Sequence, residues 1–189
     1  MKKLIVPLLI AVMLLTGCVG SEDKKYVRET LSAYFAALNA GEYEKANAYT
    51  VRAEEDIYED IDDESVNDVI FENISYEIWS IDKEGDFLIA EVVIRQLSIK
   101  TAYIDAVKEY AKYVEDAKAG NKVFTDEALE DKWNEIFFKH VSKVEETVTM
   151  KCDVYIHRGE TPEILMTSDF RNCLFGGELD AIKMLNDIS

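Results

Sequence analysis

The two histidines are the side chains of this sequence best suited to acid–base or metal chemistry. His140 lies in an apolar helical pattern beside Trp133 and Phe137, which favours a half-buried structural histidine over a ligand or a base. His157 precedes a turn, so we expect it to be exposed to solvent. The pair lacks zinc-site spacing, and the sequence contains no Gly-x-Ser-x-Gly motif and no phosphate-binding glycine loop. We therefore predict no catalytic centre, no metal and no cofactor.

An acidic segment offers the one arrangement that could bind calcium. Asp60, Asp62 and Glu64 occupy alternate positions, as ligands do in a calcium-binding loop. Ser65 stands where that loop needs glycine, and Phe71 stands where it needs glutamate. The segment is therefore predicted to be a solvated acidic face rather than a metal site.

Cys152 and Cys173 could form a disulfide, but the predicted strand register opposes it. If Ile156 pairs with Ile164 across a hairpin, then Cys152 pairs with Ser168. The second cysteine then lies further along the strand on the opposite face, whereas bridged Cα atoms must lie within about 7 Å. The sequence argues against a Cys152–Cys173 disulfide, unless a bulge or an irregular strand end changes the register.

The third cysteine, Cys18, follows a segment of a different kind. A pair of lysines precedes an apolar stretch at residues 4–15, and small residues stand directly before the cysteine, as in a secretory signal peptide. The stretch is shorter than the roughly 20 residues of a membrane-spanning helix. The run Leu15-Thr16-Gly17-Cys18 resembles the lipobox of bacterial lipoproteins. This resemblance implies cleavage before Cys18, lipid on its thiol and new amino group, and a cell-membrane anchor facing outside the cytoplasm.

These features divide the chain into three parts. Residues 1–17 are the predicted signal peptide, residues 18–23 a lipidated tether and residues 24–189 a single domain. The chain carries 21 Lys and Arg against 38 Asp and Glu, a formal net charge of −17, and loss of the signal makes it more acidic still. Because nucleic-acid affinity needs clustered Lys and Arg, we expect no nucleic-acid partner. The lipid, rather than the protein surface, has to provide membrane attachment.

Hydrophobic periodicity predicts the order helix, helix, β-hairpin, helix pair, β-hairpin and short helix. The first hairpin spans residues 73–99, and its return strand is apolar on both faces, which predicts a central strand covered on each side. The helix pair is predicted at residues 101–119 and 125–145, with Trp133, Phe137 and Val141 buried and Thr125 as the N-cap. The second hairpin turns at residues 158–162 and its last strand reaches Phe170.

Such runs of helices and antiparallel strands predict an α+β fold, with N-terminal helices on a curved antiparallel sheet and the helix pair inserted between two β-hairpins. The first helix, the hairpins and the turn Asn39-Ala40-Gly41-Glu42-Tyr43-Glu44-Lys45-Ala46 resemble NTF2-like (cystatin-like, cone-shaped) domains of small bacterial lipoproteins. Leu174-Phe175-Gly176-Gly177 is similar to glycine-pair endings in such lipoproteins. The resemblance implies a cone with an apolar cavity, which in different members binds small molecules, catalyses reactions or is empty. The fold alone does not choose among these roles.

Four residues are candidates for lining a ligand pocket, namely Tyr34, Trp79, Arg95 and Trp133. Aromatic side chains with one cationic group suit a small apolar ligand. Aromatic residues at helical and strand spacing are also typical of a core, so we expect only one or two of the four to touch a cavity.

Three classes of function are compatible with these observations. We favour a non-catalytic module that binds a small apolar ligand or a protein partner outside the membrane. The alternatives are an NTF2-like enzyme with a carboxylate and a tyrosine in its cavity, and a structural domain that dimerises through its sheet. A large apolar cavity would favour ligand binding, buried titratable groups would favour catalysis, and an exposed apolar sheet face would favour dimerisation. The sequence leaves the oligomeric state open.

Overall fold

The structure is a computed structural model that describes residues 19–51, 64–120, 123–159 and 161–188. Cys18, Asp60 and Asp62 lie outside these residues. Lipidation of Cys18 and the solvated acidic face therefore remain predictions. Over the described residues the fold is α+β, with seven helices and one five-stranded sheet. The helices are α1 (Ser21–Asn39), α2 (Tyr43–Asn47), α3 (Glu64–Phe71), α4 (Lys100–Ala119), α5 (Asp126–Val141), α6 (Ser168–Leu174) and α7 (Glu178–Ile188). The strands are β1 (Thr50–Val51), β2 (Ser75–Glu84), β3 (Phe87–Leu97), β4 (Thr147–His157) and β5 (Glu163–Leu165).

The sheet has the strand order β1-β5-β4-β3-β2, so β3 is an inner strand as predicted. Strands β2 to β5 pair antiparallel, and β1 pairs parallel with β5. Ile156 pairs with Ile164, which confirms the register predicted for the second hairpin. The sequence does not predict β1, because a two-residue strand is too short to show alternation.

One face of the sheet carries the core. The inward residues of β3 and β4 are buried, namely Leu88, Ala90, Val92, Ile94, Cys152, Val154 and Ile156. Helix α1 lies on this face and buries Tyr34 and Phe35. The Phe35 ring stacks on Tyr76 with centroids 4.2 Å apart, and the Tyr34 ring lies 6.0 Å from Phe170. Aromatic side chains therefore fill the space between the helix and the sheet.

The turn that carries the NTF2-like resemblance has a structural role. Asn39 donates from Nδ2 to the carbonyl oxygens of Phe35 and Ile74, both at 3.1 Å, and so joins the end of α1 to the start of β2. Gly41 follows with φ +69, the left-handed conformation that glycine adopts at little cost when it ends a helix. The motif therefore positions α1 on the sheet.

The predicted helix pair is present as α4 and α5. Thr125 Oγ1 accepts a hydrogen bond from the Ala128 N–H at 3.2 Å, which confirms the predicted N-cap. Phe137 and Val141 are buried as expected, whereas Trp133 is only half-buried. Aromatic contacts join the two helices, since Tyr103 and Tyr110 of α4 both contact the Trp133 ring of α5.

The C-terminal segment differs from the prediction. Strand β5 ends at Leu165, and Ser168–Leu174 forms α6, so the expected strand through Phe170 is wrong. Thr167 caps this helix by accepting from the Phe170 N–H at 3.1 Å. The chain then turns at Gly176 and Gly177, both with positive φ, into α7, and that final helix confirms the prediction of one after the glycine pair.

Gln96 is the exception in the buried face of the sheet, and it yields a testable prediction. Its side chain is 2% exposed, and neither its oxygen nor its nitrogen has a hydrogen-bond partner among the described residues. A buried unpaired amide costs about 1–3 kcal/mol. We expect Gln96→Met, which keeps the length of the side chain, to raise the free energy of unfolding by about 1–2 kcal/mol in denaturant titrations. Gln96→Ala should lower it because a cavity forms, and a destabilised Met variant would show that the amide has a partner.

Candidate functional site

The second face of β3 is not covered, contrary to the prediction of a strand covered on each side. Ile89 and Val93 on this face are only partly buried, whereas the alternating residues on the other face are buried. The neighbouring strands place polar side chains beside them, since Val93 is flanked by Glu77 and Lys151. We call this surface the open face: residues 87, 89, 91, 93 and 95 of β3, the odd residues 147–157 of β4, and Ser75, Glu77, Trp79, Ser80, Asp82 and Glu84 of β2.

Trp79 is the most exposed aromatic side chain of the open face, at 60%. It stands at a register shift between Ile78 and Ser80, where an additional residue leaves the regular ladder. Lys151 Nζ lies 5.2 Å from the Trp79 ring centroid and pairs with Glu91 Oε2 at 2.6 Å. The cation–π contact and the ion pair hold the indole in place, which is the arrangement of a preorganised binding anchor.

A second aromatic group lies on the open face at the β2–β3 turn. Phe87 is 36% exposed and makes edge contacts with Tyr155 and His157, with centroids 6.4 and 5.9 Å apart. His157 Nδ1 also lies 3.2 Å from Glu163 Oε2. His157 is partly exposed, in line with its position before a turn. Its contact with Phe87 on this surface was not predicted from the sequence.

The open face is acidic around the apolar strip that Ile89 and Val93 form. By strand register, carboxylates outnumber the cations Lys151 and Arg95 on this face and on the adjoining end of β5; they are Glu77, Asp82, Glu84, Glu91, Asp153 and Glu163. An apolar centre with a charged rim is the usual composition of a protein interface. Its electrostatic complement is a surface rich in Lys and Arg.

The start of α1 lies at the turn end of the sheet. Arg158, directly after β4, pairs with Asp23 and lies over the Tyr26 ring, 5.5 Å from its centroid. Asp23, Gly85 and His157 also border one cleft of about 180 Å³. Because α1 begins at Ser21, only Val19 and Gly20 of the described tether stand outside a helix. The described chain therefore begins at the end of the domain that carries Phe87, Tyr155 and His157.

The structure does not bring the four predicted pocket residues together. Tyr34 is fully buried under α1, and Trp133 lies between α4 and α5. Trp79 and Arg95 share the open face, where Arg95 is exposed opposite Ser75 and Thr149. Only the last two could meet one partner, and they would do so on a surface rather than in a cavity.

A carboxylate and a tyrosine meet where α1 ends. Tyr43 Oη donates to Asp68 Oδ1 at 2.7 Å beside a cleft of about 430 Å³, which Glu72 also lines. This pair is of the kind that the enzyme alternative requires. However, Asp68 is exposed at the surface and the cleft lies outside the space between α1 and the sheet. The contact joins α2 to α3, and no sequence pattern links the two residues.

His140 lies in a charged contact of the helix pair, as the structural interpretation predicts. It is half-buried, and its Nε2 lies 2.9 Å from Glu109 Oε2, while Lys139 Nζ lies 2.6 Å from Glu109 Oε1. Hydrogen bonds from Lys139 and then from His140 lower the pKa of Glu109. These contacts join α4 to α5.

The lowered pKa of Glu109 gives a pH prediction. Its stabilising contribution is present above the unfolded-state pKa and is lost as pH falls through the lower folded-state pKa. Between pH 7 and about pH 3, wild type should therefore lose more thermal stability than Glu109→Gln, which cannot titrate. The effect should be small because the pair is exposed and should shrink in high salt. Equal pH profiles for the two proteins would contradict this assignment.

Within the described ranges, no group of three or more His, Cys, Asp or Glu side chains is arranged to hold a metal ion. No helix in the described part of the chain is long and apolar enough to cross a membrane. Comparison with known proteins finds no matching family model, no matching curated protein and no matching solved structure.

Proposed function

We propose that this chain is a membrane-anchored lipoprotein, displayed outside the cytoplasm, that uses its open face as a non-catalytic protein-interaction surface. The observation that carries the proposal is Trp79, an indole held in position on an uncovered sheet face yet 60% exposed. Trp is among the residues that contribute most to protein binding energy. The apolar strip of Ile89 and Val93 supplies area for the remaining contacts.

The partner is a protein with a basic rim around an apolar or aromatic contact. The carboxylates around the strip attract Lys and Arg, and they speed encounter with a basic surface. A second copy of this chain would bring the same carboxylates against one another, which is destabilising. Charge therefore favours a different protein over the sheet-mediated dimer.

The anchor would place this surface close to the membrane. Lipid on Cys18 would hold the turn end of the sheet, with Phe87 and Tyr155, near the headgroups, because only a short tether precedes α1. The partner is therefore expected to be a membrane protein or a protein bound at the membrane surface.

The proposed fold type is NTF2-like with a helix-pair insertion, supported by α1 on the sheet and the Asn39–Gly41 turn. In this chain, Tyr34, Phe35 and Phe170 occupy the space between α1 and the sheet. This packing favours the protein-interaction role over binding of a small apolar ligand and over a cavity enzyme.

The anchor is tested by replacing its lipid-bearing residue. Cys18→Ala in the full chain should block maturation and leave a precursor with its signal segment still attached. Metabolic labelling with a radioactive fatty acid should mark the wild type and not the variant. Label on both proteins, or on neither, would refute lipidation at Cys18.

The interaction is tested by co-purification from membranes dissolved in mild detergent. The tagged full chain should retain one basic protein, and Trp79→Ala should reduce its recovery by about 10-fold or more, as loss of a hot spot does. Phe138→Ala is the matched control, because Phe138 is an exposed aromatic residue on α5. Recovery should fall as salt is raised. Equal recovery with Trp79→Ala, or capture only of a second copy, would refute the proposal.

A further inference from the structure

The structure brings together two cysteines that the sequence separates. Cys152 faces inward on β4 and is 7% exposed, while Cys173 on α6 is 3% exposed. Helix α6 packs on β4, and the two cysteines are neighbours in the same buried core. The predicted hairpin register is correct, but the sequence argument extended the last strand to Cys173, whereas Ser168–Leu174 is a helix.

We propose that Cys152 and Cys173 are a disulfide-forming pair that covalently joins α6 to β4. The oxidant is a disulfide, either of a thiol oxidoreductase or of a small molecule such as oxidised glutathione. The thiolate of one cysteine attacks one sulfur of that disulfide, which forms a mixed disulfide and releases one thiolate. The thiolate of the other cysteine then attacks the cysteine sulfur of the mixed disulfide and releases the second thiolate. In total, the two cysteine thiols lose two electrons and two protons, and the oxidant becomes two thiols.

The thiolate is the reactive form of cysteine, and in the docked state contact with Cys173 and burial raise the pKa of Cys152. Burial of both sulfurs means that the first step occurs before α6 docks on the sheet or while it is transiently detached.

The bridge would fix the C-terminal segment to the sheet. Helix α6 is only seven residues long, yet it carries Arg171, which pairs with the buried Glu178 at the start of α7. Cross-linking residues 152 and 173 reduces the entropy of the unfolded chain. The expected stabilisation corresponds to a melting temperature about 5–15 °C higher than that of the reduced protein.

The test uses the full chain with Cys18→Ser in detergent, so that only the two buried cysteines remain of three. The protein is equilibrated with oxidised glutathione, quenched with acid, unfolded and labelled with a maleimide. We expect no maleimide on either cysteine, a mass lower by two hydrogen atoms and no retained glutathione. Peptide mapping should show one cross-linked pair, and adding reductant should restore both thiols and lower the melting temperature.

Two single variants give the controls. In Cys152→Ser and in Cys173→Ser, the remaining cysteine should keep glutathione because no second thiol is there to displace it. The proposal is overturned if the two-cysteine protein stays fully labelled by maleimide or keeps glutathione on either cysteine. If a single variant does not fold, the peptide map of the two-cysteine protein still decides. This outcome is independent of the partner, because no binding step is measured.

Discussion

Gly176→Ala is expected to lower the free energy of unfolding by about 2–5 kcal/mol. Gly176 has φ +51, a conformation that costs residues with a Cβ about 1–2 kcal/mol. A Cβ at this position would also overlap the carbonyl oxygen of Leu97 and press against Ile99 N at 3.2 Å. The overlap is with backbone, so the β3–α4 connection would have to move, which adds the cost of overpacking.

Gly85→Ala is the matched control for this prediction. Gly85 also has positive φ, +59, but no atom lies within 4 Å of a Cβ built there. Gly85→Ala should therefore lower the free energy of unfolding only by the cost of the left-handed backbone conformation, about 1–2 kcal/mol. The difference between the two variants then measures the effect of the close approach to Leu97. Denaturant titration of both proteins measures this difference. Equal losses would mean that the Gly176–Gly177 turn does not pack against the end of β3.

Trp133→Ala is expected to lower the free energy of unfolding by about 2–4 kcal/mol, somewhat less than truncation of a fully buried Trp does. Trp133 stacks on Phe137 at 5.4 Å between ring centroids and makes edge contacts with Tyr103 and Tyr110 at 5.7 and 5.6 Å. Each aromatic pair contributes about 0.5–1.5 kcal/mol beyond the area buried. Thermal unfolding should show a melting temperature lower by about 4–16 °C.

The chain's other tryptophan is the control. Trp79→Ala should lower the free energy of unfolding by less than about 1 kcal/mol. The indole is mostly exposed, so its removal eliminates only the contact with Lys151. This contrast separates a Trp that holds two helices together from one that is free to bind a partner. If Trp79→Ala were the more destabilising variant, the open face would be a structural surface.

Periodicity predicts the elements whose apolar residues face one way. Helix α1, the first hairpin and the helix pair are in this class, because Leu31, Phe35 and Phe137 recur at the spacing of buried positions. Helix α6 is missed because Ile164, Met166 and Phe170 fit a strand pattern. The helix signal was present in Thr167, an N-cap residue, and in the helical spacing that places Phe170 and Cys173 on one face.

The open face could not be predicted from β3 alone. A strand with Ile89 and Val93 on its second face is compatible with a second covering layer or with an interface. The distinction comes from its neighbours in register, where Glu77 and Lys151 flank Val93. Those pairings join residues far apart in sequence, so they become visible only once the strand order is known. The proximity of Cys152 and Cys173 was missed for a different reason, because the segment Ser168–Leu174 was predicted as strand and is a helix.

The most direct test of the open face as a docking surface is site-specific photo-cross-linking in living cells. The photoreactive residue p-benzoylphenylalanine replaces Phe87 on the open face or Phe138 on α5, which are 36% and 37% exposed. We predict that the probe at Phe87 forms one adduct with a basic protein, identified by mass spectrometry, and that Trp79→Ala removes it. The probe at Phe138 should form no such adduct. The same adduct from both probes, a cross-linked second copy, or no adduct at Phe87 would contradict the account.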